Sequence, residues 1–222
     1  VDLIYGIQTL TNKQWKKNIE QAFSLDVPHI SCYSLTVEPR TALSAFIRKG
    51  KVDNIDVRKS AEQFEIGMEE MEKNSFIHYE ISNFCKEGYY SKHNSSYWKG
   101  VNYLGLGPSA HSYNGNSRQW NVRSNSSYIH SLNKNILPFE KEVLREAQRY
   151  NEYILTSLRT IWGADLNFIK KSFSPDVFPH FEKEIKPFLD QKMLWQEGEK
   201  IFLTHQGKFF ADKISSDLFI VS

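Results

Sequence analysis

The chain has 222 residues, with 28 lysines and arginines against 26 aspartates and glutamates and a net charge of +2 when histidine is neutral. So even a balance excludes wholesale nucleic-acid binding, and no apolar run approaches the ~20 residues of a membrane span. Hydrophobic residues at 40% and charged residues at 24% are ordinary for a soluble globular chain, enough for one large domain or two small ones, while 14% aromatics favour aromatic-lined surfaces over disorder. Two isolated cysteines, Cys32 and Cys85, make neither a disulfide framework nor a four-thiolate metal site, so a cytoplasmic setting is expected. Val1-Asp-Leu-Ile-Tyr-Gly6 reads as a strand already under way, so the sequence is expected to be a fragment of a longer protein.

Val1–Tyr5 is a short apolar strand ending at Gly6. Thr11 is placed to cap a helix carrying Trp15, Ile19, Ala22 and Phe23 on one face, and Pro28 stops it. His29–Val37 reads as a second strand, apolar on both faces as a strand covered by helices would be, and Glu38-Pro-Arg40 closes it. Asp56 caps a helix whose stripe is Val57, Ala61, Phe64, Met68 and Met71; the two methionines are core residues rather than cofactor contacts. Phe76–Ile81 is a third strand. Residues 1–81 thus read strand, helix, strand, helix, strand, with connections suited to right-handed βαβ units. Three strands cannot close a barrel, so they are expected to be the last part of a larger parallel one.

His93–Tyr113 combines two histidines, several large aromatics and a Gly-Leu-Gly-Pro turn without a helical or strand period. A long irregular segment of this kind is either a packed connector or a functional loop. Beyond it, Arg118–Val122 is a short strand and Asn125–Leu132 a short helix. Leu144–Ile161 is a strongly periodic helix, with Gly163 where a C-terminal cap is expected. Leu166–Phe173 and Val177–Leu189 are helices, and Met193–Gln196 with Lys200–Leu203 form a hairpin about Glu197-Gly-Glu199. Thr204 caps a last helix carrying Phe210, Ala211, Ile214 and Leu218. Helix, helix, hairpin, helix is a winged-helix-like arrangement, but no basic stripe marks a DNA-reading helix, which leaves a packing or partner module. The expected division is 1–113 and 114–222.

Several blocks in this order resemble the oxygen-independent coproporphyrinogen III oxidase-like radical-SAM family. They are Asp2-Leu-Ile-Tyr-Gly6, Ser34-Leu-Thr-Val-Glu-Pro39, Tyr79-Glu-Ile-Ser-Asn-Phe84, His93-Asn-Ser-Ser-Tyr-Trp98, Tyr103-Leu-Gly-Leu-Gly-Pro-Ser-Ala-His-Ser-Tyr113, Trp120-Asn-Val-Arg123 and Leu203-Thr-His-Gln-Gly207. The His-Asn-x-x-Tyr-Trp block resembles the haem-chaperone branch rather than the true oxidases. The resemblance implies an α/β fold, the C-terminal part of a partial TIM-type barrel followed by a mainly helical, winged-helix-like domain. It implies a [4Fe–4S] cluster and S-adenosylmethionine in the full-length protein, and haem as a bound ligand passed to respiratory proteins.

Two departures count. The Cys-x-x-x-Cys-x-x-Cys that ligates the family's cluster is absent, and a cluster needs thiolates, so this stretch alone is expected to be inactive. Gln8 stands where the family has proline after Gly-Leu or Gly-Ile. Oxidative decarboxylation of coproporphyrinogen III to protoporphyrinogen IX, or a non-catalytic accessory role, stay open as alternatives.

What the resemblance implies for individual residues is specific. Asp2, Tyr5, Gly6 and Glu38 fall on the S-adenosylmethionine side, although Asp2 reads equally as a salt-bridged residue, Gly6 as a turn and Glu38 as a loop-ordering residue. His93, flanked by Tyr97 and Trp98, falls on the haem side as a possible iron ligand, or as a structural histidine held by Asn94. His111 is a second haem-side candidate or a backbone-bonding residue. Glu80 is expected to be partly buried and paired, with Arg123 as a candidate partner. Gly105-Leu-Gly107 is not a phosphate loop, because no Lys-Ser/Thr follows it.

Overall fold

The protein is described by a computed structural model covering residues 1–221, and it divides into two compact units, 1–91 and 92 onward. The expected boundary lay after Tyr113; residues 92–113 instead fold with the second unit.

In the first unit β1 (Asp2–Tyr5), α1 (Asn12–Ser24), β2 (His29–Ser34), α2 (Ala42–Arg48), α3 (Val57–Lys73), β3 (Ile77–Glu80) and β4 (Asn83–Cys85) follow in order. Thr11 forms a capping box with Gln14: its hydroxyl accepts from Gln14 N at 3.2 Å while Gln14 Oε1 accepts from Thr11 N at 2.9 Å. Asp56 caps α3 by accepting from Arg58 N and Lys59 N. Both caps are where the sequence put them, and the helical stripes bury Trp15, Ile19, Ala22, Phe64, Met68 and Met71, whereas Val57, in the first turn of α3, is exposed. Trp15 sits between the helices and donates through Nε1 to Gln63 O at 2.7 Å, so the largest core side chain is also polar-satisfied.

The sheet order is β1-β2-β4-β3. β1 and β2 are parallel, Asp2 opposite Ser31 and Tyr5 opposite Ser34, as a βαβ unit requires. The third strand is not the next parallel neighbour. β3 turns back through Ile81 and Ser82 into β4, which pairs antiparallel with both β2 and β3, with a register shift between His78 and Glu80. A three-residue strand joined by a turn with neither glycine nor proline leaves no sequence signature. The second strand also ends at Ser34 rather than Val37, and α2, a seven-residue helix without a buried stripe, follows.

The second unit opens with α4 (Lys92–Trp98), then β5 (His111–Tyr113), β6 (Ser117–Asn121), α5 (Asn125–Leu132) and β7 (Phe139–Val143). β5-β6-β7 is an antiparallel sheet, so the segment expected to lack regular structure begins in a helix and ends in a strand. α6 (Glu146–Leu158), β8 (Ala164–Asp165), α7 (Leu166–Ser172), α8 (Val177–Asp190), β9 (Leu194–Glu197), β10 (Lys200–Leu203) and α9 (Ala211–Asp217) complete it. Two helices, a hairpin and a helix appear in the expected order, and β8 adds a third strand on the β10 edge. Tyr150, Ile154, Leu158, Ile169, Phe181, Ile185, Leu194, Ile201, Ile214 and Leu218 form the core beneath them. The Tyr150 hydroxyl, inside that core, donates to Leu218 O at 3.1 Å.

Thr204 does not cap α9 directly. Its hydroxyl donates to Lys192 O and accepts from Gly207 N at 3.0 Å, fixing a 3-10 turn over Gly207–Phe210 that delivers the chain into α9. The Leu203-Thr-His-Gln-Gly207 block is therefore at least a structural clamp. Among the described residues no helix is long and apolar enough to cross a membrane.

Candidate functional site

On α4, His93 and Tyr97 stand one turn apart, so their side chains stack along one face. Their rings meet edge to face at a centroid separation of 4.9 Å. Tyr97 then contacts Tyr103 at 4.8 Å, and Tyr103 contacts Tyr113 at 6.0 Å. Backbone bonds in both directions between Tyr103 and Tyr113, each 2.9 Å, hold the last two rings in place. The result is a row of four rings running from an exposed imidazole inward. Burial raises the Tyr103 and Tyr113 hydroxyls above the ordinary phenol range, against a lowering pull from Arg118.

The inner end of this row opens on a cavity of about 630 Å³. Tyr97, Trp98, Tyr103 and Tyr113 line one wall, and α6 supplies another through Arg149, Glu152, Tyr153 and Thr156. Trp162, Phe168 and Phe173 close it. Arg118 Nη2 lies 2.8 Å from Glu152 Oε1, yet burial still raises the Glu152 carboxyl above its ordinary range. Arg149 hydrogen-bonds Asn116 Oδ1 at 3.4 Å, and its Nε is buried with no acceptor. Burial pushes the Tyr153 hydroxyl up to about 12, and that oxygen accepts from Asp165 N at 2.6 Å. Trp98 stands half in the wall, with its indole N–H buried without an acceptor and the Arg159 guanidinium 5.4 Å over its ring.

His111 lies elsewhere. It is exposed on β5, opposite Trp120 on β6 at a ring separation of 6.2 Å, and does not line the cavity. The glycine turn before it is held tightly. Gly105 N donates to the Ser112 hydroxyl at 3.0 Å and Asn121 Nδ2 donates to Gly107 O at 2.9 Å. A Cβ on Gly105 would lie 2.1 Å from His111 O, which explains the glycine without a ligand.

The residues expected on the cofactor side divide differently. Asp2 and Glu38 are exposed. Tyr5 is buried: its ring packs at 5.7 Å from Trp15 and 6.0 Å from Phe64, and burial pushes its hydroxyl up to about 12. Gly6 adopts φ +77°, its N–H donates to Gln63 Oε1 at 2.8 Å, and a Cβ there would meet the Ser60 hydroxyl at 2.6 Å. It is a turn held against α3. Glu80 is buried rather than partly buried, and it accepts from Ser82 N and Asn83 Nδ2.

A [4Fe–4S] cluster needs a group of thiolates. Among the described residues no three His, Cys, Asp or Glu side chains gather as a metal site, and Cys32 and Cys85 are both buried thiols. These residues do not fit the cluster. The cavity-lining arginines, Glu152 and Tyr153 had no place in the sequence-based site. Their one signal was a second stripe on α6, with Arg149, Tyr153 and Thr156 beside the apolar Tyr150, Ile154 and Leu158.

Residues 144–210 match the family model described as the HemN C-terminal domain. A protein named heme chaperone HemW from Bacillus subtilis is 33% identical over 216 residues, 96% of this chain and 57% of that protein. The Lactococcus lactis protein of the same name is 29% identical over 93% of this chain and 54% of its own length. The solved structure of coproporphyrinogen III oxidase (HemN) from Escherichia coli, described as a radical SAM enzyme, matches the fold with a TM-score of 0.75. That match covers 98% of this chain and 54% of that one, at 15% identity. The mixed α/β architecture is thus that of the C-terminal part of a HemN-type radical-SAM fold. By sequence the chain is similar to the proteins named heme chaperone HemW, and it spans little more than half of their length.

Proposed function

We propose that this chain is the haem-binding portion of a cytoplasmic radical-SAM haem chaperone that passes haem to respiratory proteins. One observation carries the reading: α4 holds the His93 imidazole exposed, one turn from Tyr97, whose ring leads to an aromatic cavity. A neutral imidazole is a good axial donor to haem iron, and the neighbouring rings offer flat contacts to a macrocycle. Likeness to proteins named heme chaperones over nearly the whole chain supports the same reading. The [4Fe–4S] cluster and S-adenosylmethionine belong, in this proposal, to the whole protein, with Asp2, Tyr5, Gly6 and Glu38 as the positions to test on the S-adenosylmethionine side. His111, exposed on β5, is the second haem-side position to test.

Titrating the chain with haem and following the Soret band tests the proposal. A saturable shift is expected in the wild type, weakened about tenfold or more in His93→Ala, a loss of at least ~1.4 kcal/mol. His111→Ala serves as the comparison. An undiminished shift in His93→Ala removes that imidazole from the site. Anaerobic incubation of the reconstituted full-length protein with coproporphyrinogen III is expected to give no protoporphyrinogen IX; turnover would favour an oxidase.

A further inference from the structure

The cavity beside α4 has a chemistry of its own, apart from the exposed imidazole. Its volume of about 630 Å³ lies within the range of about 300–1,000 Å³ typical of cofactor and small-molecule sites. Aromatic rings make up much of the wall, which suits a flat conjugated ligand. Its charges are unequal: of the lining cations, Lys99 stands over the Trp162 ring at 4.1 Å, and Arg118 and Arg149 differ in their partners. Glu152 is engaged by Arg118 at 2.8 Å, and Asp165 is engaged as the cap of α7, accepting from Asn167 N and Phe168 N. Arg149 has no carboxylate within ion-pair distance among the described residues, only the neutral Asn116 amide at 3.4 Å. Arg149 is half-buried, and its Nε is buried at the cavity with no acceptor, so one donor of its guanidinium is left for a ligand to meet. Arginine's planar fork matches a carboxylate in geometry as well as charge.

We propose that this cavity binds a flat conjugated molecule bearing a carboxylate, with Arg149 as the carboxylate's partner and the Tyr97, Tyr113 and Tyr153 walls around the rings. The choice of a porphyrin as that molecule rests on the haem reading above; the preference for a flat carboxylate does not. The site does not need iron, because neither Arg149 nor the tyrosines act through the metal. It therefore separates two contributions to haem binding: His93 at the metal and the cavity at the macrocycle and its acidic arm.

Iron-free protoporphyrin IX is the probe, followed by its fluorescence and absorbance on titration into the intact chain, alongside the dimethyl ester in which both carboxylates are blocked. Wild type and His93→Ala are expected to bind the free acid alike. Arg149→Gln is expected to weaken it about tenfold, the loss of one charge-assisted hydrogen bond, and to leave binding of the ester unchanged. Thr156→Phe, which fills the cavity from α6, is expected to abolish both, with circular dichroism and thermal unfolding checked against wild type. If Thr156→Phe does not fold, the Arg149→Gln comparison between acid and ester still decides. The proposal is overturned if wild type does not bind the iron-free porphyrin, or if Arg149→Gln binds acid and ester both as wild type does. Haem binding lost in His93→Ala alongside no porphyrin binding in wild type would leave the chaperone reading standing and remove the cavity; porphyrin binding without any haem shift would do the reverse.

Discussion

Cys32 is 2% exposed, and burial pushes its thiol from near 9 up to about 12; burial likewise pushes Cys85 up to about 11. A thiol held protonated is a poor nucleophile. Neither cysteine should react with an aromatic disulfide reagent at pH 8 in the native protein, and both should react once urea unfolds it; fast native labelling of either would refute this. Both values are raised on folding, so the associated stability is complete below the unfolded value near 9 and is lost as pH rises through the folded values. Alkaline unfolding should begin in that window, and Cys32→Ala should flatten the limb. Gly105 gives a second residue-scale expectation. Its substitution by alanine puts a methyl 2.1 Å from His111 O. The displaced turn should cost about 1–3 kcal/mol in urea denaturation, with no requirement that a ligand be present.

Local chemistry specified the longer elements well. Thr11 and Asp56 cap the helices that the apolar spacing outlined, because cap and stripe are both encoded within a few neighbouring residues. Asp56→Ala should lower stability by about 1 kcal/mol and Asp56→Asn by much less, read from equilibrium unfolding. The short elements were illegible for the same reason in reverse. β4 has three residues and β5 three, and each is a strand only because a partner lies beside it. α6 shows both cases. Its periodicity follows the buried Tyr150, Ile154 and Leu158, while Arg149, Tyr153 and Thr156 on the neighbouring face carry no such apolar pattern and line the cavity only because α4 and the β5–β6 hairpin lie across from them.

At the scale of the molecule, the two units divide the chemistry. The first packs Tyr5 and Gly6 into its own architecture and buries its two thiols, while the second presents the imidazole, the row of rings and the cavity. Reconstitution of this chain with iron and sulfide should therefore give no stoichiometric [4Fe–4S] absorbance, since cluster assembly needs clustered thiolates. A cluster at one per chain would contradict that expectation. Haem titration of the same sample should still give a saturable Soret shift.

Motif order and helical periodicity were enough to reach the α/β class, the helix–helix–hairpin–helix ending and the family likeness, because each depends on residues close together along the chain. Sequence also picked out His93 and Tyr97, which one helical turn brings together. Only the tertiary structure turned Tyr5 into the core, closed β4 between β2 and β3, and set Arg149 against rings from distant segments. Those outcomes depend on long-range pairing and on which face of each element meets another, and neither is written in local spacing.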